Sequence, residues 1–201
     1  MGAEDRIVEL GLEIPPPAAP VASYVPVVVA AGMAFVSGQV PLEGGQPVYR
    51  GAVGSEVSLE EATDGARRCA LQILAALRAE LGSLDRVVRI VRVGVFVASA
   101  PGFHDQSKVA NGASDLFVEV FGDAGKHARA AVGVAELPLG VPVEVEAVAE
   151  IQPELVAEIE AELKATALAE AEDERELEPA VSRQWVADGA GSGDGHAGPA
   201  G

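Results

Sequence analysis

The stretch HARAAVGVAELPLGVPVEVEAVAEI, residues 127–151, decides the fold. Small and β-branched apolar residues alternate through it, the period of a pleated strand with one buried face. Leu137-Pro138-Leu139-Gly140 breaks the alternation with turn-forming residues. The expectation is a closing hairpin whose first strand carries Arg129 and whose second carries Glu144 and Glu146. Charges in such a strand need a partner or a use. With the turn centred on Leu139-Gly140, Arg129 faces about Glu150 and Glu144 about Ala135. That leaves the pair about six residues, on the order of 20 Å, apart along the ladder, too far to meet within one hairpin. They could meet across a subunit interface. Two readings of Arg129 stay open: a structural ion pair with one of the glutamates, or a planar, permanently charged docking point for a small organic acid.

Working outward, Val25 to Ala30 and Met33 to Val40 read as two apolar strands around the tight turn Ala31-Gly32. The preceding PPPAAPVASY, residues 15–24, is a connector, because its prolines lock φ and lack the amide donor. From Ser58 the period changes: Leu59, Ala62, Ala66, Cys69, Ile73, Leu77 and Leu81 line one helical face. Ser58 with Glu61 forms an S-x-x-E capping box, and Gly82 marks the stop. Cys69 on that apolar face reads as a small buried hydrophobe. RVVRIVRVGVFVAS, residues 86–99, is a strand, and the spacing of Arg86, Arg89 and Arg92 places Arg89 on the opposite face from the other two, as a solvated or salt-bridging rim. A second helix is expected from Phe103 to Phe121, with Val109, Ala113, Leu116, Phe117 and Val120 inward. The order ββαβαββ implies an α+β sandwich, a mainly antiparallel sheet with two helices on one face.

The domain is expected to occupy residues 1–152. Beyond Pro153, ELVAEIEAELKATALAEAEDERELE has helix propensity but too narrow an apolar stripe for its own core, and DGAGSGDGHAGPAG is Gly-rich. Residues 153–201 therefore read as an acidic helical segment and then a disordered tail.

With 201 residues, 49% of them hydrophobic, the chain has material for one well-buried domain. Its formal net charge of −17 repels phosphate backbones and anionic membrane surfaces, so nucleic acid is an unfavoured partner. The single cysteine excludes an intrachain disulfide and a cysteine-based metal cluster. His104, His127 and His196 show no ligand spacing, so no metal is expected. No window approaches the roughly 18 to 20 apolar residues of a membrane span, and the start has no apolar run of signal-peptide length, so a cytoplasmic location is expected.

At this point the residues carry a resemblance. ARAAVGVAELPLGVPVEVEAVA, residues 128–149, resembles the C-terminal signature of the RidA (YjgF) family, also called L-PSP endoribonuclease-like, with its chorismate-mutase-like fold. Tyr24 in SYVP, Ser37 in VSGQV and Asn111 in VANGASDLF match in order, so the resemblance runs from about Tyr24 to Ile151. It implies a homotrimer with clefts between subunits and hydrolysis of 2-aminoacrylate-type enamines and imines to 2-oxo acids and ammonia, without a cofactor. It implies further that Arg129 grips the substrate carboxylate, that Glu144 orients or activates water, and that Tyr24, Ser37 and Asn111 line the pocket. Ala131 stands where the family has a pocket cysteine.

The alternatives are a non-catalytic trimeric module that holds 2-oxo acids in the same cleft and, last, an endoribonuclease, for which an acidic chain offers little attraction to phosphate. Truncation after Ile151 should leave Tm nearly unchanged. A fall of more than about 5 °C would mean that the C-terminal segment packs on the domain.

Overall fold

The computed structural model describes residues 2–17 and 23–152. These belong to one compact unit spanning Met1–Val156. The expected acidic helix and tail of residues 153–201 lie outside the described residues.

The five-stranded sheet is built from β1 (Val27–Ala30), β2 (Met33–Gln39), β5 (Val87–Ala98), β6 (Ala128–Val134) and β7 (Val143–Ile151), in the spatial order β1-β2-β7-β5-β6. A small separate pair, β3 (Leu42–Glu43) with β4 (Gln46–Pro47), precedes the long helix α2 (Leu59–Leu81). Every neighbouring pair in the main sheet is antiparallel except β5 and β6, which run parallel. An α+β architecture with a mainly antiparallel sheet is what the periodicities imply.

The expected closing hairpin does not form. β5 lies between β6 and β7, paired to Arg129 through Val93 on one side and to Glu144 through Phe96 on the other. Residues 135–142, including a 3₁₀ turn at Pro138–Gly140, cross the end of β5 instead of closing a tight turn. Alternation identifies a strand but not its neighbour. Burial decides the neighbour here: β7 buries alternate residues from Val143 to Ile151, whereas β6 is largely exposed and fits a sheet edge.

Cys69, Ile73 and Leu77 of α2 are fully buried, and α2 packs on β2 and β7. Its ends are closed as the sequence implies: Ser58 Oγ accepts from the Glu61 amide, the Glu61 carboxylate accepts from the Ser58 amide, and Gly82 is left-handed with φ 77°. The second helix is two, α3 (Gln106–Val109) and α4 (Asn111–Phe121), so it begins later than Phe103 and breaks at Ala110. An N-terminal helix, α1 (Ala3–Glu9), was not evident from the sequence. It is seven residues long with only Ala3 and Ile7 buried, too few turns to show a period. Glu4 tethers it, accepting from Arg78 and from the Leu84 amide.

Register shifts in β5 between Val87 and Arg89 and between Ile90 and Arg92 correct the expected placing of its arginines. Arg89 pairs with Glu150 and Arg92 with Val148, positions on the same face of β7. The bulge cancels the strict alternation that the spacing assumed.

α2 and α4 approach so closely that Gly112 has no room for a side chain: a Cβ there would lie 1.9 Å from the Thr63 carbonyl oxygen. Gly112→Ala should cost about 2 kcal/mol through forced separation of the helices. The expected reading is a Tm fall of roughly 4–8 °C in calorimetry.

Candidate functional site

Odd-numbered residues of β7, Val143, Val145, Ala147 and Ala149, are buried against the helices, and Val93, Val95 and Val97 of β5 join them. In-register partners point to the same face, so Arg129, beside Val93, stands on the helical side of edge strand β6. Glu144 alternates with Val143 and Val145 and stands on the helix-free side. The two are three residues apart along β5 and two strands across, roughly 14 Å between Cα atoms, with opposite orientation. One chain cannot bring them together.

Around Arg129 the structure assembles a fixed guanidinium. Nη1 donates to Asn111 Oδ1 at 3.0 Å and to Ser114 Oγ at 2.9 Å, and Nη2 donates to the Ser107 carbonyl at 3.2 Å. Asn111 and Ser114 are successive on one face of α4, whose N-terminus therefore sets the guanidinium plane. Nε and a second Nη2 hydrogen have no partner among the described residues. They form one edge of the guanidinium, a fork matched to a carboxylate. Ala131, two residues on, shares Arg129's face of β6 and pairs with Val95.

Around Glu144 the surroundings differ. Glu146 is paired with Arg92 at 3.2 Å, whereas Glu144 has no cation among the described residues. Burial, then the neighbouring Glu146 charge, raises the Glu144 carboxyl above its usual range. Its side chain lies over β2 against Gly38, where a Cβ would fall 1.9 Å from Glu144 Oε1, so glycine is the residue that fits. Next to Gly38, Ser37 Oγ donates to the Val25 carbonyl at 2.7 Å, which leaves its lone pairs as acceptors. Tyr24 adjoins Val25 and is half exposed. Of the residues singled out from sequence, Arg129 thus joins Asn111 beside Ala131, and Glu144 shares the β1–β2 side with Ser37 and Tyr24. These are two separate groups on opposite faces.

Ser107, Ser114 and His127 were missed. Ser114 could have been found from its place three residues after Asn111 on a helix; the contact of His127 with it depends on tertiary structure. Two hollows in the chain, one between α1 and the Leu84–Val87 turn and one beneath Pro15–Pro17 against Leu71 and Gln72, include neither Arg129 nor Glu144. Cys69 is buried with its Sγ 3.8 Å from the Val143 carbonyl, and burial pushes its thiol well above the usual value. Among the described residues no group of three His, Cys, Asp or Glu converges on a metal-sized space, and no helix is long and apolar enough to cross a membrane.

Residues 4–151 match the family described as "YjgF/chorismate_mutase-like, putative endoribonuclease". Protein TCP17 of Trypanosoma cruzi is 48% identical over 143 residues, 71% of this chain and 89% of that protein. The crystal structure of Atu1372 from Agrobacterium tumefaciens, of unknown function, superposes with a TM-score of 0.69 at 42% identity, covering 75% of this chain and 93% of the other. TdcF of E. coli, solved with bound serine, superposes with a TM-score of 0.50 at 26% identity, covering 68% and 94%.

The raised Glu144 carboxyl means that the folded state holds this proton more tightly than the unfolded chain does. Ionisation of Glu144 therefore costs stability, and the cost appears as pH rises from below the free glutamate value through the folded one. Glu144→Gln should be more stable than wild type at pH 7, with the gap closing once Glu144 is protonated in acid. Urea melts at both pH values check it.

Proposed function

This chain belongs to the YjgF/chorismate-mutase-like family, and on that premise we propose that it hydrolyses small 2-imino acids and their enamine tautomers to 2-oxo acids and ammonia. The carrying observation is the division of the site. A guanidinium anchored by three hydrogen bonds has one edge without a partner among the described residues, and a half-buried carboxylate, with no cation beside it among the described residues, stands on the other face. Each half becomes a site when a second copy of the chain supplies the other.

The helix-free face favours such an assembly. Val28, Phe35 and Val132 are 51%, 47% and 46% exposed there, and Val28, Phe35 and Val148 form a row across three paired strands. An apolar row of this kind is an association surface. We read the assembly as a homotrimer with three equivalent clefts.

In the cleft, the substrate carboxylate sits on the Nε and Nη2 edge of Arg129. Asn111, Ser37 and Tyr24 line the space, and the Ala131 methyl leaves room where the resemblance puts a thiol. Glu144 of the neighbouring copy takes a proton from water as its oxygen bonds to the imine carbon and hands that proton to the nitrogen, which leaves Glu144 ionised again. Glu144 then relays the hydroxyl proton of the resulting carbinolamine to the nitrogen as the C–N bond breaks, the C=O bond forms and ammonia leaves. The imine carbon is already electrophilic, so positioning and one general base are sufficient, and no covalent nucleophile, metal or cofactor enters. A raised carboxyl makes the better base. Serine bound to TdcF carries the same α-carboxylate that the Arg129 fork would receive.

Arg129→Lys keeps the charge and loses the fork, so it should chiefly raise KM. Glu144→Gln keeps the shape and loses the base, so it should lower kcat by roughly 10²-fold or more. Co-expressing the two variants regenerates intact clefts from the Arg129 of one and the Glu144 of the other, so about a quarter of wild-type activity should return with random mixing. No recovery, or a monomer in light scattering, would sink the shared cleft. If wild type and Glu144→Gln are equally active while Arg129→Lys loses 2-oxo acid binding in calorimetry, the protein is a metabolite-binding module. RNA cleavage that depends on neither residue would place the activity elsewhere.

A further inference from the structure

We infer that His127, acting through the Ser114 hydroxyl, is the positioning residue that locks the Arg129 guanidinium in its carboxylate-binding orientation. The inference rests on the reading of Arg129 given above, but its geometry is independent of that reading. His127 Nδ1 lies 2.6 Å from the Gly125 carbonyl oxygen, and a carbonyl can only accept, so Nδ1 carries the proton. In the neutral ring Nε2 is then an acceptor. It lies 3.0 Å from Ser114 Oγ, so the serine proton points at the ring.

A serine hydroxyl has one proton and two lone pairs. With its proton fixed on His127, the oxygen turns its lone pairs outward, and Arg129 Nη1 donates to it at 2.9 Å. The chain Gly125 carbonyl, His127, Ser114, Arg129 thus has one consistent direction of donation. Phe117 of α4 meets the imidazole edge to face, with centroids 5.8 Å apart and planes at 88°, which fixes the ring. Burial lowers the imidazole pKa, against the Gly125 carbonyl and together with the nearby Arg129 charge, and so favours the neutral acceptor form.

Without the Nε2 acceptor, the Ser114 proton is free to rotate, for example toward the Ala110 carbonyl one turn back on its helix. Arg129 Nη1 then faces an oxygen whose lone pairs are no longer held toward it, and the bond that helps define its plane is weakened. His127 itself forms no bond with the Nε and Nη2 edge that would meet substrate, so its effect belongs to binding and not to the proton-transfer step.

The test uses the full-length protein labelled with ¹⁵N at histidine and arginine. In wild type, His127 should show the Nδ1–H tautomer, and the Arg129 Nη resonances should be resolved by hindered rotation. In His127→Phe, which keeps an aromatic ring against Phe117, and in Ser114→Ala, the Arg129 resonances should merge. Pyruvate, the probe 2-oxo acid, should bind about 3- to 10-fold more weakly to both, as expected for loss of a single hydrogen bond. KM for a 2-imino acid should rise similarly with kcat little changed, and His127→Gln, whose amide oxygen can replace Nε2, should recover most of the affinity. An Nε2–H tautomer in wild type, or hindered Arg129 rotation surviving in both variants, overturns the inference. If wild type does not bind pyruvate, the functional reading of Arg129 fails, while the rotation measurement still decides the role of His127. If His127→Phe does not fold, Ser114→Ala carries the decision.

Discussion

The ladder of β5 against both β6 and β7 is the constraint from which the rest of the molecule follows. Val93 pairs with Arg129 on one side and Ala147 on the other, and Phe96 pairs with Val132 and Glu144. Because side chains alternate across a sheet, this double register decides which charged group faces the helices and which faces away. A one-residue slip in either ladder would turn Arg129 from α4 or drive Glu144 into the core beside Cys69. The buried valines of β5 and β7 make such slips costly, so the apolar core fixes the orientation of both charges.

The two charges are held in different ways. Arg129 is satisfied on three donors and left with one edge, which gives it direction without neutralising it. Glu144 receives no cation among the described residues, while Glu146, two positions on, is paired with Arg92. Neighbouring glutamates of one strand thus have opposite surroundings, which a count of charges would not reveal. The arrangement sacrifices some stability at Glu144 to keep a carboxylate that takes up protons readily.

Much of the fold was legible. The α2 period with its Ser58–Glu61 box and Gly82 stop is local, and local signals survive folding unchanged. Strand identity at β1, β2, β5, β6 and β7 was legible from alternation. Pairing was not, because the 135–142 connection is compatible with either a hairpin or a crossover, and only the relative burial of β6 and β7 separates them. The bulges of β5, which put Arg89 and Arg92 on one face, leave no mark in the spacing. At the site, Arg129 and Glu144 stood out as charges in apolar strands, and Asn111 was singled out only by the family resemblance. Ser114 and His127 did not, since a serine on a helix and a histidine before a strand are unremarkable until packing brings them within 3.0 Å.

The sheet order has a kinetic corollary. β7 is the last of the five strands in chain order and yet lies at the middle of the sheet, between β2 and β5. Until Val143–Ile151 arrives, the β1–β2 ribbon and the β5–β6 pair are separate pieces, each with a bare edge of unpaired amides and carbonyls. Joining β2 to β7 closes a loop of more than a hundred residues, so the final zippering is a high-contact-order step. A nascent or partly unfolded chain is therefore most prone to strand-mediated self-association just before its last strand docks, and substitutions that delay β7 would appear first as poor solubility during synthesis, ahead of any change in the stability of the finished protein.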